Sequence, residues 1–245
     1  SVLRGVTEMI SKLFKDVVNT NENLQALFSD KEWWPRRDAH ISCLSNISQI
    51  SAAICPQKYI SPSSIIEDGT KLSGNVIVLP GTTIRSGSYI LGPTIIGENS
   101  TIGPNSFING CCIIGPRSFV GQSAELKSSI LMGQNSLAHF SYIGNSILGR
   151  EVSISAGVIT AVRRFDRKSV ALKIGLKVID TGTNKLGVII GDGTQVGVGV
   201  LIYPGRSIAP SICVLPGTII MRNINHAADA VTRPIATMGD EDAYR

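Results

Sequence analysis

Histidine is almost missing from this chain. Its 245 residues hold only His40, His139 and His226, about ninety residues apart and with no paired spacing. A zinc site built from three histidines needs closely spaced ligands, so no metal is expected. Aromatic residues make up only 5% of the chain, few for a conventional globular core. The five cysteines (Cys43, Cys55, Cys111, Cys112, Cys213) form no C-x-x-C pair, which predicts reduced thiols and a cytoplasmic setting rather than a disulfide framework. No apolar run approaches the roughly 20 residues of a membrane span. The apolar positions of the first eighteen residues are interrupted by Arg4, Glu8, Lys12, Lys15 and Asp16, which argues against a signal peptide. Acidic residues are outnumbered, giving a net charge of +5. That balance suits small anionic ligands as well as nucleic acid.

What is present is a ladder. Every sixth residue from Ile54 to Met132 is aliphatic: Ile54, Ile60, Ile66, Leu72, Val78, Ile84, Ile90, Ile96, Ile102, Ile108, Ile114, Val120, Leu126 and Met132. Four residues after each rung from Ile60 to Val120 stands a small or β-branched residue, as in Ser64, Thr82, Ser100 and Ser118. A period of six fits neither the 3.6 of a helix nor the two of a sandwich strand, and predicts an all-β solenoid, a parallel β-helix of hexapeptide repeats. The aliphatic residue points into the prism and the small one fills a corner. Glycine and asparagine recur between rungs, where turns need a positive φ.

The aliphatic phase then slips by four residues, resuming at Leu148 and Ile154 and continuing from Ile190 to Ile220. The segments 133–147 and 160–188 are therefore expected to interrupt the coil, and loops on a rigid scaffold commonly carry function. Apolar positions from Val2 to Val18, and again at Ile41, Leu44, Ile47 and Ile50, recur at helical spacing. Residues 1–52 are expected to form a helical cap over the open end of the coil, with Trp33 and Trp34 packed inside it. The β-helix is expected over 53–222 with a loop insertion near 161–187, and residues 223–245 form a tail outside the repeat.

One stretch carries chemistry-bearing motifs: Glu125-Leu126-Lys127-Ser128-Ser129, then His139-Phe140-Ser141-Tyr142-Ile143-Gly144-Asn145-Ser146-Ile147-Leu148-Gly149. Arg164-Phe165-Asp166 and the run from Val178 to Asp192 follow. This pattern resembles the acyltransferase domain of N-acetylglucosamine-1-phosphate uridyltransferase/glucosamine-1-phosphate acetyltransferase. It resembles still more closely the archaeal-type sugar-1-phosphate nucleotidylyltransferase-related proteins. The resemblance covers roughly residues 54–220. It implies a left-handed β-helix, a homotrimer with sites between subunits, and acetyl-CoA as acyl donor. It makes His139 the general base, since an imidazole can take a proton from an attacking amine or hydroxyl near neutrality. It places Lys127, Tyr142 and Lys185 on the acceptor sugar and its phosphate. Ala156, Gly157, Arg163, Arg164 and Val198 fall on the donor side.

The chain departs from the pattern at three positions. Asn109 stands where the family has a phosphate-binding arginine, Ser153 where it has a substrate-binding asparagine, and Val162 where the bacterial enzymes have another asparagine. Each change removes a donor for a phosphorylated sugar, so the acceptor is expected to differ from glucosamine 1-phosphate or the site to be degraded. No G-x-G-T-R-L nucleotide-binding start is present, so no nucleotidyl transfer is expected of this chain. Three readings stay open: an acyl-CoA-dependent acyltransferase acting on an amino sugar, sugar phosphate or nucleotide sugar; a non-catalytic sugar-phosphate- or nucleotide-binding β-helix; and a structural trimerisation module. Nucleic acid is a poor fit, because the basic run Arg163–Lys177 holds a single aromatic, Phe165, and no series of interleaved aromatics for base stacking.

Overall fold

The computed structural model describes residue 19 and residues 21–226. The helix expected over residues 2–18 lies outside the described residues, as does the chain from residue 227 onward. The described chain is a parallel β-solenoid of the left-handed β-helix kind, preceded by short helices. Three eight-stranded sheets, here A, B and C, form the faces of a prism. Each coil contributes one strand of two or three residues to each sheet in turn, and all neighbours in the three sheets are parallel.

The six-residue rule is met inside the prism. Ile96 in sheet A, Ile102 in sheet B and Ile108 in sheet C are fully buried in one continuous core. The small residues do more than avoid a clash. Thr82, Ser88, Ser100, Ser106 and Thr194 are buried at corners, and each donates its hydroxyl to a backbone carbonyl fifteen residues on, in the next coil. Corner peptide groups that cannot join a ladder are satisfied this way. Gly69 (φ 81) and Asn99 (φ 54) take the left-handed conformation that the turns require.

The phase slip has a different cause from the expected interruption. The coil runs unbroken through 133–147, with strands at Ser136–Leu137 and Tyr142–Gly144. What changes is the corner from sheet C to sheet A. Gly110 and Cys111 both have positive φ there, whereas the next two coils place a single left-handed residue, Ser128 and then Asn145. Each of these corners is one residue shorter, so the inward residue moves from Leu126 to Leu131, and from Ile143 to Leu148. Partners in sheet A are accordingly 18 residues apart at Ile96 and Ile114 but 17 at Ile114 and Leu131. Met132, expected to point inward, is instead buried on the outside of sheet A. Ile54, expected as the first rung, ends a helix and packs in the same outer cluster.

That outer cluster corrects the placing of the helical segment. Helices α1 (Glu22–Ser29), α2 (Ile41–Ser45) and α3 (Ile47–Ile54) lie along the flank of sheet A, not over the end of the coil. The outward residues of sheet A form a second ladder, Ile77, Ile95, Ile113, Ile130, Ile147 and Ile189, stacked in register. Leu24, Leu27, Trp33, Ile47, Ile50 and Ile54 cover it. Asn21 caps α1, its side-chain oxygen accepting from the amides of Asn23 and Leu24. Trp33 is buried and donates its indole N–H to Asp192 at 2.9 Å, tying the helices to the coil.

The coil opens once, after Thr160, and resumes at Val188. The insert folds as an antiparallel hairpin of Ala171–Ile174 with Lys177–Asp180. Its buried residues Val170 and Leu172 extend the cover over sheet A, and Lys177 reaches Asp38 beside the helices at 3.2 Å. Past residue 222 the repeat continues for one step, since Ile224 bridges Ile208 in parallel and is buried. Among the described residues no helix is long and apolar enough to cross a membrane.

Candidate active site

The expected site residues fall on two edges and two faces of the prism. Sheet C carries one group. Its strands Phe107–Asn109, Glu125–Lys127 and Tyr142–Gly144 are adjacent and in register, with Asn109 opposite Lys127 and Glu125 opposite Tyr142. Alternation along a strand puts all four side chains on the outer face, because the leucine or isoleucine between them points inward. Asn109 donates its amide to Glu125 at 3.5 Å. Burial and the nearby Glu125 carboxylate push the Tyr142 phenol up from its ordinary pKa, against a smaller opposing pull from Arg163. Lys127 follows on the same face.

Gly144 shapes this face. A Cβ at that position would lie 2.6 Å from the Tyr142 hydroxyl and 2.9 Å from Val162. Tyr142 therefore lies across its own strand toward the foot of the insert. The amide of Leu186 donates to the Val162 carbonyl at 2.9 Å, closing that foot and setting Lys185 and Arg163 at the corner between sheets C and A. Asn109, Lys127, Tyr142, Lys185 and Arg163 are thus brought to one side of the molecule.

His139 occupies the other edge of sheet C, in the turn from sheet B. The corner residues stack coil upon coil: the amide of Gly157 donates to the His139 carbonyl at 3.0 Å, and the amide of Gly199 to the Ala156 carbonyl at 2.9 Å. The backbone of His139 is fixed while its exposed imidazole makes no hydrogen bond among the described residues. Ala156 and Gly157 in the next coil, and the exposed Val198 in the one after, continue this edge from His139, at about 4.8 Å per coil. Phe140, beside His139, holds a positive φ of 56 with its ring 65% exposed. Other coils fill this corner position with Asn105, Ser123, Gly157 or Gly199.

The residues expected on the donor side are consequently split. Ala156, Gly157 and Val198 share the edge of His139, whereas Arg163 and Arg164 lie across sheet C at the insert. Arg164 is taken up by a two-pronged ion pair with Asp166, at 2.9 and 2.6 Å, which holds that carboxyl well below its usual range. Ser153 belongs to sheet B, between Ser136 and Gln195, and does not share the face of Lys127 and Tyr142. The motif alone gives Glu125 no role. Its two-residue offset from Lys127 was the signal that both point outward. Among the described residues no group of three or more His, Cys, Asp or Glu side chains is placed to hold a metal ion.

The coils that hold this geometry match a known domain. Residues 92–171 fit the family described as the GMPPB C-terminal domain. The similarity spans 80 of the chain's 245 residues, about a third of its length. The matched stretch takes in Asn109, Lys127, His139, Tyr142 and Ser153 and stops at the start of the hairpin. Curated relatives are similar over shorter spans. The bifunctional sugar-1-phosphate nucleotidylyltransferase/acetyltransferase of Sulfurisphaera tokodaii is 37% identical over 67 residues, 27% of this chain and 17% of that protein. The bifunctional protein GlmU of Methanocaldococcus jannaschii is 39% identical over 67 residues, 27% of this chain and 16% of that protein. The chain therefore aligns with about a sixth of the length of these relatives. Among solved structures, the polySia-specific acetyltransferase NeuO aligns over 67% of this chain and 80% of its own, at 15% identity and a TM-score of 0.39.

Proposed function

We propose that the coils of this chain form an acyl-CoA-dependent acyltransferase, with acetyl the expected group and an amino sugar, sugar phosphate or nucleotide sugar as acceptor. The observation that carries this reading is the state of His139: a backbone locked into the corner stack, and an exposed imidazole with no hydrogen bond among the described residues, on an edge that Ala156, Gly157 and Val198 continue. A free imidazole can take the proton of an attacking amine or hydroxyl. This edge leaves room for an extended acyl donor to lie against Ala156, Gly157 and Val198. Lys127, Tyr142 and Lys185 would hold the acceptor, the lysines by charge and the tyrosine by its neutral hydroxyl and ring. The Sulfurisphaera relative is named for acetyl transfer as well as nucleotidyl transfer, which agrees with this choice.

The two halves of the site sit on opposite edges of sheet C, and a homotrimer would bring one chain's edge against another's. Ile159, Leu201 and Ile219 stack in register on the outer face of sheet C, each 41–50% exposed. Burying such a stripe is the ordinary driving force for association. Ser153 would then meet the acceptor of a neighbouring subunit rather than its own. All five cysteines are free, as a reducing cytoplasmic setting would keep them. The function is tested by mass spectrometry of products formed from acetyl-CoA with a panel of amino sugars, their phosphates and nucleotide sugars. An acceptor heavier by one acetyl group is expected. Absence of any acetylated product across the panel, with sugar phosphates still bound, would favour the non-catalytic binding reading that Asn109, Ser153 and Val162 suggest.

A further inference from the structure

We propose that the cleft between the inserted hairpin and the last coil is a binding site for a phosphate-bearing small molecule, separate from the His139 edge. The cleft encloses about 340 Å³ and is lined by Lys173 and Gly175 of the hairpin, Arg206 of sheet A, and Arg222, Asn223 and Asn225 beyond the last strand of sheet C. Three cations face one space, and none of them forms an ion pair with an acid among the described residues. Arg164 adds its field to Arg206 from outside.

The walls are built rather than incidental. Asn223 fastens both sides: its side-chain oxygen accepts from the Ser207 amide at 3.1 Å, and its amide donates to the Lys173 carbonyl at 2.6 Å. Arg206 is half-buried and held by the Pro204 and Met221 carbonyls at 3.1 and 3.3 Å. Burial lowers its pKa, and the Arg164 charge lowers it further. A guanidinium positioned in this way has already lost most of its conformational freedom, so an anion gains its full charge-assisted hydrogen bonding. Lys173 and Arg222 remain exposed and able to close on a ligand. Like charges gathered without counter-charge repel one another, and a phosphate relieves that repulsion.

The cleft sits at the corner between sheets C and A, across sheet C from His139, so the proposal stands whether or not the chain transfers acyl groups. The test is calorimetric titration of the intact protein with inorganic pyrophosphate, repeated at raised salt and with the double variant Lys173→Glu/Arg222→Glu. Both residues are exposed, so the variant keeps the fold, while Arg206 is left in place because it ties down two carbonyls. Saturable, salt-sensitive binding at millimolar concentration or tighter is expected, weakened by at least about tenfold in the variant. His139→Ala should bind pyrophosphate as the native chain does. Displacement by CoA or by a nucleoside diphosphate sugar would assign the phosphate to the donor or the acceptor, and displacement by neither would assign it to a free phosphate. No binding by the native protein, or equal binding by the double variant, overturns the proposal.

Discussion

Truncating Ile113 tests where the helices lie. On a bare hexad ladder this residue, next to the inward Ile114, points to solvent, and Ile113→Ala would change stability by no more than about 0.5 kcal/mol. In the structure Ile113 is 0% exposed, stacked between Ile95 and Ile130 and covered by the helical segment. Replacement by alanine removes three buried carbons. Transfer alone costs roughly 2.4 kcal/mol at about 0.8 kcal/mol for each. The cavity left under α3 raises the total toward the 2–5 kcal/mol of buried aliphatic truncations. Ile114→Ala, inside the prism, should cost a similar amount. Phe119→Ala on the open face of sheet B, where the ring is 41% exposed, should cost clearly less. Urea unfolding of the three variants, followed by circular dichroism, gives the comparison. An Ile113→Ala midpoint indistinguishable from the native one would show that the helices do not cover sheet A.

Three further outcomes follow from particular side chains. Phe140→Asn should leave stability unchanged or raise it by about 1 kcal/mol in thermal melts, because the left-handed conformation at this corner costs a bulky residue more than asparagine. A clear loss would mean that the ring packs against something that offsets the strain. Burial pushes the Cys43 and Cys112 thiols up to about 12, so an aromatic disulfide reagent at neutral pH should label Cys213 quickly and these two only after unfolding. Rapid labelling of Cys112 in the native protein would refute its buried placing. The raised Tyr142 pKa means the unfolded chain ionises this phenol first as pH climbs past about 10. Stability should then fall with rising pH in that range and fall less steeply in Tyr142→Phe; identical slopes would show that the phenol is not perturbed.

How much of this was legible in the sequence depends on the period each feature obeys. The inward ladder repeats every six residues and could be read directly, as could the corner serines and threonines. The outer isoleucine ladder repeats once per coil, at 17 or 18 residues, and is hidden beside the inner one. Its trace is the doubled apolar pair in the sheet A strands from Val76–Val78 to Val188–Ile190, such as Ile77-Val78, Ile95-Ile96 and Ile113-Ile114, which signals burial on both faces. That pair predicts a covered flank, whereas the six-residue ladder alone points the helices to the open end. The slip after Leu126 read as an interruption because two separate one-residue shortenings, at Ser128 and Asn145, add up to a single offset. Motif spacing points to His139, Lys127 and Tyr142 as candidates, and strand alternation explains why Lys127, Tyr142 and Asn109 share a face. It says nothing about residues joined through the insert. The foot that sets Arg163 beside Tyr142, and the cleft of Lys173, Arg206 and Arg222, arise from contacts between segments distant in the chain.

Acyl transfer through His139 is the central claim, and one kinetic comparison tests it most directly. With an acceptor that the native chain acetylates, turnover by His139→Ala should fall by about 100- to 10,000-fold, the usual worth of a general base. Calorimetric binding of acetyl-CoA should stay close to native, because the imidazole is not its main anchor. A His139→Ala protein that turns over at the native rate would contradict the account.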